Sequence, residues 1–373
     1  WYNDKSVDSL SYQVIKYRQR NGWEHKDLLR LSHVKATSEP HNEIYKYITS
    51  GTASDKLPSI ILAFEELQKL TASSDVKKAI QIIRDHNLPW ECVPTTLHNE
   101  AKVWEALLEN MPITALVRNL GRLTKLDLLQ PLSANAKAVA AKLQNEDILK
   151  ASRMHPIAIL AALKTYESGH GVKGNLSWTP TQQIINALDD AFYKSFQNVV
   201  PTGKNIMICL DVSGSMEWGD IAGIPGVTPR VASAAMAMMI AKTEANYCVT
   251  AFCDKMVDIK ISHKQRLDDV LKATAALPFG ATDCSLPMQY ATSNKIECDA
   301  FVVYTDSEVN TGRMHASQAL KQYRNLMKKP QAKLVVCGMI ANNFSIADPD
   351  DGGMLDVVGF DTAAPAIISD FIR

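Results

Sequence analysis

Asp211-Val212-Ser213-Gly214-Ser215 places one carboxylate and two hydroxyls at alternate positions, directly after the short apolar run Asn205 to Leu210. A second carboxylate, Asp306, follows another apolar run, Ala300 to Tyr304, and between the two lies a loop, Pro278 to Asp283, that carries Thr282. Carboxylates and hydroxyls without histidine or thiolate select a hard cation, with Mg²⁺ or another divalent ion as the expected occupant. Ser213 and Ser215 alternate across a tight turn, so both hydroxyls can reach one ion, while Asp211 and Asp306 bind through water or orient the shell. Few direct anionic ligands leave such an ion electrophilic, with an open position for an outside carboxylate or phosphate. An isolated D-x-S-x-S is also an ordinary Asp/Ser helix cap, so the strand context and the added Thr and Asp carry the metal reading. Asp211 as a phosphoryl-accepting nucleophile would call for a second Asp two residues on, where Ser213 stands. No Walker A loop, metal-ligand His pair or Ser-His-Asp order is present, and no catalysis is expected.

The second constellation is cationic. Between Gln13 and Lys35, Lys16, Arg18, Arg20, Lys26, Arg30 and Lys35 face only Glu24 and Asp27, with His25 and His33 added. A helix over Val7 to Arg20 would put Gln13, Lys16 and Arg20 on one face and Val7, Leu10, Val14 and Tyr17 on an apolar stripe. Like charges one turn apart repel by a few tenths of a kcal/mol, and a bound anion relieves that. Periodicity alone favours a solvated helix face over a binding one, with His33 a partly buried imidazole.

These residues need elements to position them. Up to about Val199 apolar residues recur at three and four with Gly, Pro, Asn or Ser at turns, predicting helices that include Val7 to Arg20, His41 to Ser50, Pro58 to Leu70, Val76 to His86, Ala101 to Glu109, Ala134 to Leu143, Pro156 to Tyr166 and Gln182 to Gln197. Gly51 reads as a C-cap and Pro58, Pro112 and Pro156 as first-turn prolines. No strict repeat length is found, and paired short helices suit a degenerate HEAT-type solenoid. At Pro201-Thr202-Gly203-Lys204 the period changes. Strands are predicted at Asn205 to Leu210, Tyr247 to Phe252, Met256 to Ile261, Ala300 to Tyr304 and Lys333 to Met339, alternating with helices. That is a doubly wound parallel sheet, with Met256 to Ile261 as an antiparallel edge strand turned at Asp254-Lys255. Two domains, 1–200 and 201–373, are expected. In such a sheet Asp211 and Asp306 sit beside the topological switch point, where ligands bind.

Composition sets outer limits. Over 373 residues the formal charge is zero, so the whole-chain basic signature of a nucleic-acid binder is absent. From Lys204 onward lie 16 of the 40 Lys/Arg and 19 of the 40 Asp/Glu, leaving 24 against 21 before it. The seven cysteines show no CxxC pair, which suits a reduced, cytoplasmic and secondarily nuclear setting. No run approaches the roughly 18 apolar residues of a membrane span, so no membrane partner is expected. The chain opens at Trp1 without an initiator Met, which reads as part of a longer protein.

The metal-site pattern resembles the metal-ion-dependent adhesion site of the von Willebrand factor A family. The whole chain resembles the Ro ribonucleoprotein family, through KYRQRNGWEHKDLLRLSHVK at 16–35, MPITALVRNLG at 111–121, His155-Pro156, Gly169-His170-Gly171, Ala191 to Lys194, TDCSLP at 282–287 and IADPDD at 346–351. The resemblance implies a TROVE module, a ring of HEAT-like helices closed by the A domain, here without the family's first helices. It implies binding of Y RNAs and of the single-stranded 3′ ends of misfolded noncoding RNAs, by a monomer. The family's Y RNA contacts fall on Lys16, Arg20 and His33, two cations suited to phosphates and an imidazole suited to an exposed base. A protein-interaction adaptor that uses the A-domain metal to bind a partner carboxylate, without RNA, is the rival reading.

Overall fold

The period change near residue 201 separates a run of helices from a six-stranded sheet. The computed structural model describes all residues except 278–279, 307–311, 313 and 341–344; Pro278 and Phe279, at the start of the loop expected to carry Thr282, lie outside the described residues. By compactness the chain divides into Trp1–Asn135 and Ala136–Arg373.

The first unit holds α1 (Val7–Lys16), β1 (Gln19–Arg20), β2 (Trp23–Glu24), α2 (His25–Ser32), α3 (Glu39–Ser50), α4 (Ser59–Gln68), α5 (Val76–His86), α6 (Ala101–Asn110) and α7 (Ile113–Lys125). Helix α3 shows how local chemistry sets the bounds: the Ser38 side chain accepts the His41 N–H, Pro40 occupies the first turn, and Gly51 ends the helix at φ 73°, a conformation that costs glycine little. Helix α1 packs on α3 and α4, α2 on α3, and α5 between α4 and α6. Leu10, Ile15, Ile44, Ile61, Leu67 and Trp104 are fully buried there, each such side chain contributing roughly 1.5–3 kcal/mol by leaving water.

One expected element is corrected. The helix predicted over Val7 to Arg20 stops at Lys16, and Gln19–Arg20 pairs antiparallel with Trp23–Glu24, Arg20 opposite Trp23. Asn21 and Gly22 between them have φ of 52° and 81°, the left-handed pair of a two-residue hairpin turn, and Asn-Gly is the strongest short signal for it. Lys16 and Arg20 therefore do not share a helix face. The apolar stripe is also rotated: α1 buries Leu10, Ser11, Val14 and Ile15, while Tyr17 is 41% exposed.

The second unit begins within α8 (Ala134–Gln144) and continues through α9 (Glu146–Ser152), α10 (Pro156–Ser168) and α11 (Gln182–Lys194) before β3 (Ile206–Asp211), α12 (Pro229–Thr243), β4 (Tyr247–Phe252), β5 (Met256–Val257), α13 (Leu267–Ala275), α14 (Leu286–Ser293), β6 (Ala300–Thr305), α15 (Ala316–Leu326), β7 (Lys333–Gly338), β8 (Met354–Val358) and α16 (Ala363–Ile372). Sheet order is β5-β4-β3-β6-β7-β8, all parallel except the edge strand β5. Every residue of β3 and β6 is buried, as a strand covered by helices on both faces requires. The compact units thus part at Asn135/Ala136, while the change of element type falls at 201. Contacts of the last helices explain the offset: α10 packs on α12, Asp189 of α11 pairs with Arg266, and Tyr193 Oη accepts the Leu267 N–H at 2.8 Å.

Candidate metal centre and nucleic-acid interface

Strand β3 lies between β4 and β6, with Leu210 beside Tyr304. The chain leaves β3 toward β4 and returns to β6 on the other side, so their carboxyl ends form the crevice of a switch point. Five hydrogen-bond contacts gather the expected residues there. Thr305 Oγ1 donates to Asp211 Oδ2 at 2.7 Å, fixing the two strand ends together one residue before Asp306. The Ser213 N–H donates to Asp211 Oδ1 at 2.8 Å, and the Ser213 and Ser215 hydroxyls stand 3.1 Å apart. Val212 N–H donates to the Phe252 carbonyl and Asp283 N–H to the Cys253 carbonyl, both at 2.9 Å, which ties the D-x-S-x-S loop and the segment after Thr282 to the end of β4.

Asp211, Ser213, Thr282 and Asp306 are all buried, at 2%, 3%, 0% and 3% exposure, so their oxygens are held out of bulk water. Burial pushes the Asp211 carboxyl up to about 6, against hydrogen bonds from Thr305 and Ser213, and the neighbouring Asp306 adds to the rise. Two buried carboxylates side by side are costly to ionise together, and a cation removes that cost. Among the described residues no group of three His, Cys, Asp or Glu could hold a metal; the donor set here is two carboxylates with three hydroxyls, which fits a hard ion that keeps waters. On the next helix, Arg230 pairs with Glu217 at the end of the same loop.

The cationic residues stand at successive points along α1, the hairpin and α2. Lys16, in the last turn of α1, is half-buried, its Nζ 3.5 Å from Tyr12 Oη and 5.3 and 5.2 Å from the ring centroids of Tyr12 and Tyr17. Burial works to lower its pKa, but Tyr12, Tyr17 and Glu91 together leave it raised, so the ammonium stays charged. Arg20 is exposed on the hairpin opposite Trp23, itself 55% exposed. Neither Lys16 nor Arg20 forms an ion pair among the described residues. His33 is exposed and ends α2 at φ 48°, its N–H bonded to the Leu29 carbonyl. Sequence reasoning missed Trp23 as an exposed ring beside these cations, and the Asn21-Gly22 turn was the signal for it. It also missed that Lys16, Arg18 and Lys26 line one cavity with Glu91.

Comparison with known proteins agrees with this architecture. Family models described as the TROVE domain and the Ro60 vWA domain match residues 67–165 and 205–372. The chain is 36% identical over 373 residues to the RNA-binding protein RO60 of Deinococcus radiodurans, spanning all of this chain and 70% of that one. It is 34% identical over 417 aligned positions to the RNA-binding protein RO60 of Caenorhabditis elegans, spanning all of this chain and 64% of that one. The crystal structure of the Deinococcus radiodurans RO (RSR) protein superposes with a TM-score of 0.89 at 36% identity, covering 100% of this chain and 75% of that chain. With a TROVE segment, a von Willebrand factor A domain and similarity along the whole of this chain to part of two RO60 proteins, the chain belongs to the Ro60 family.

Proposed function

We propose that this chain is an RNA-binding protein of a small ribonucleoprotein, binding Y RNAs through the α1–hairpin–α2 face and the 3′ ends of misfolded noncoding RNAs, without catalysing a reaction. The observation that carries the reading is the hairpin: a two-residue turn holds Arg20 and Trp23 out into solvent, and neither Arg20 nor the adjacent Lys16 is matched by a carboxylate in an ion pair among the described residues. Such cations neutralise phosphates, and an exposed ring or imidazole such as Trp23 or His33 stacks on an unpaired base. Both curated relatives are named for RNA binding, and an adaptor role without RNA is not favoured.

The A domain would hold Mg²⁺ or another divalent cation through the hydroxyls of Ser213, Ser215 and Thr282, with Asp211 and Asp306 orienting the shell. Bound there, the ion would supply a Lewis-acidic position for a carboxylate of a protein partner. Fluorescence anisotropy of a labelled small stem-loop RNA tests the RNA reading: replacing both Lys16 and Arg20 by alanine should lower the salt slope of log affinity by about 1.4 to 1.8. An unchanged slope removes this face from the interface.

A further inference from the structure

The ends of α1, α3 and α4, the hairpin and the start of α2 line an open cavity of about 720 Å³, within the range that takes a nucleotide-sized ligand. Its cationic lining, Lys16, Arg18 and Lys26, is contiguous with the proposed RNA face, and its floor is apolar, with Val14, Ile15 and Phe64. The Arg18 guanidinium lies 5.1 Å from the Phe64 ring centroid, a flat cationic surface of the kind on which bases stack. The other polar wall groups include donors and acceptors, among them His25, Tyr47, Glu65, Gln68 and Glu91. Glu65 takes the Tyr47 hydroxyl and Gln68 donates to the Cys92 carbonyl at 2.7 Å, so both are already engaged. Two wall groups differ: Glu91 Oε2, in the short helical turn Trp90–Cys92, and His25 Nε2 are buried and meet no hydrogen-bond partner among the described residues. A buried carboxylate oxygen left without a donor is costly, and a ligand that brings donors removes the cost.

Among the four RNA bases, only guanine presents two adjacent donors, N1–H and N2–H, on its Watson–Crick edge, the pair that a carboxylate accepts side by side. We propose that this cavity is a recognition site for one unpaired guanine of a bound RNA, its edge read by Glu91, its face against Arg18, and its phosphate held by Lys16 and Lys26. This rests on the RNA-binding reading and deepens it, adding base selectivity at a face where phosphate contacts alone carry none.

The test uses the full chain and single-stranded heptanucleotides, six uridines around a central guanine, adenine, cytosine or inosine, with a labelled stem-loop RNA measured alongside. The guanine oligonucleotide is expected to bind about tenfold more tightly than the adenine one and about fivefold more tightly than inosine, which lacks the N2 donor. Glu91→Gln, which keeps the shape and replaces one acceptor by a donor, should remove that preference and leave binding of a uridine-only strand unchanged. Equal affinities for guanine, adenine and inosine in the unmodified protein, with the stem-loop still bound, overturn the guanine site alone and need no variant. Loss of the stem-loop as well overturns the RNA reading beneath it, and a preference that survives Glu91→Gln removes Glu91 as the reader.

Discussion

Gly22 offers a way to disturb the proposed RNA face without touching a charge. It sits at φ 81° in the hairpin turn, and a Cβ added there would meet nothing within 4 Å among the described residues. Gly22→Ala therefore brings no clash, and its cost is the left-handed backbone alone, about 1 kcal/mol. That is large for this element, because only Gln19–Glu24 and Arg20–Trp23 are paired and a two-stranded hairpin has little stability of its own. If the hairpin must be formed to present Arg20 and Trp23, that cost is taken from binding, and affinity for a stem-loop RNA falls by about fivefold, 1.4 kcal/mol being tenfold. The salt slope should not move, since no cation is lost. Arg20→Ala should do the reverse in slope, lowering it by about 0.7 to 0.9 through one lost phosphate contact. Anisotropy titrations at four salt concentrations separate the two. A Gly22→Ala protein that binds RNA as tightly as the parent, or one whose slope drops like that of Arg20→Ala, refutes the idea that a formed hairpin presents this face.

Three further outcomes follow from the geometry. Asp211→Ala removes the carboxylate that ties Ser213 and Thr305 together; titration calorimetry should show Mg²⁺ binding lost or weakened at least tenfold, and undiminished binding places the ion elsewhere. His155, whose side chain caps α10 by accepting the Ile157 N–H at 3.2 Å, is held down to about 4 by burial, against about 6.5 when unfolded. The unfolded chain takes its proton first, so His155 costs nothing above pH 6.5 and erodes stability as pH falls from there toward 4, by no more than about 1.4 kcal/mol per unit. His155→Asn keeps a capping side chain, and its denaturation midpoints should fall less steeply across that window than the parent's; parallel curves contradict the assignment. Leu188, fully buried in α11, should cost about 2–5 kcal/mol on change to alanine, read as a lower urea midpoint at constant slope.

The sheet was legible because its central strands are mostly apolar: the runs expected at Asn205 to Leu210, Tyr247 to Phe252, Ala300 to Tyr304 and Lys333 to Met339 lie within one residue of the bounds of β3, β4, β6 and β7. From two adjacent strand ends the meeting of Asp211 with Thr305, next to Asp306, follows directly. Strand β8 escaped because only Met354 and Val357 of its five residues are buried and it follows Gly352-Gly353, which reads as a turn. Helix α7 was signalled only by Pro112 as a first-turn proline, although its buried residues recur at helical spacing from Ile113 to Leu123; Asn119 and Gly121 are weak helix formers, and tertiary burial outweighs them. At Lys16 the polar period continues past the helix end, and local turn geometry at Asn21-Gly22 decides the structure. The cavity beside it was not legible at all, since Glu91 reaches Lys16 and Lys26 only through packing of elements distant in sequence.

The central claim is that RNA lies on the face running from α1 through the hairpin to His33. Ultraviolet crosslinking of the chain to a small stem-loop RNA, read by mass spectrometry of the peptide–nucleotide adducts, locates that contact directly. Adducts concentrated between Lys16 and Lys35, at Tyr17, Trp23 or His33, are the predicted result. Adducts confined to 205–372, with none between Lys16 and Lys35, would contradict it.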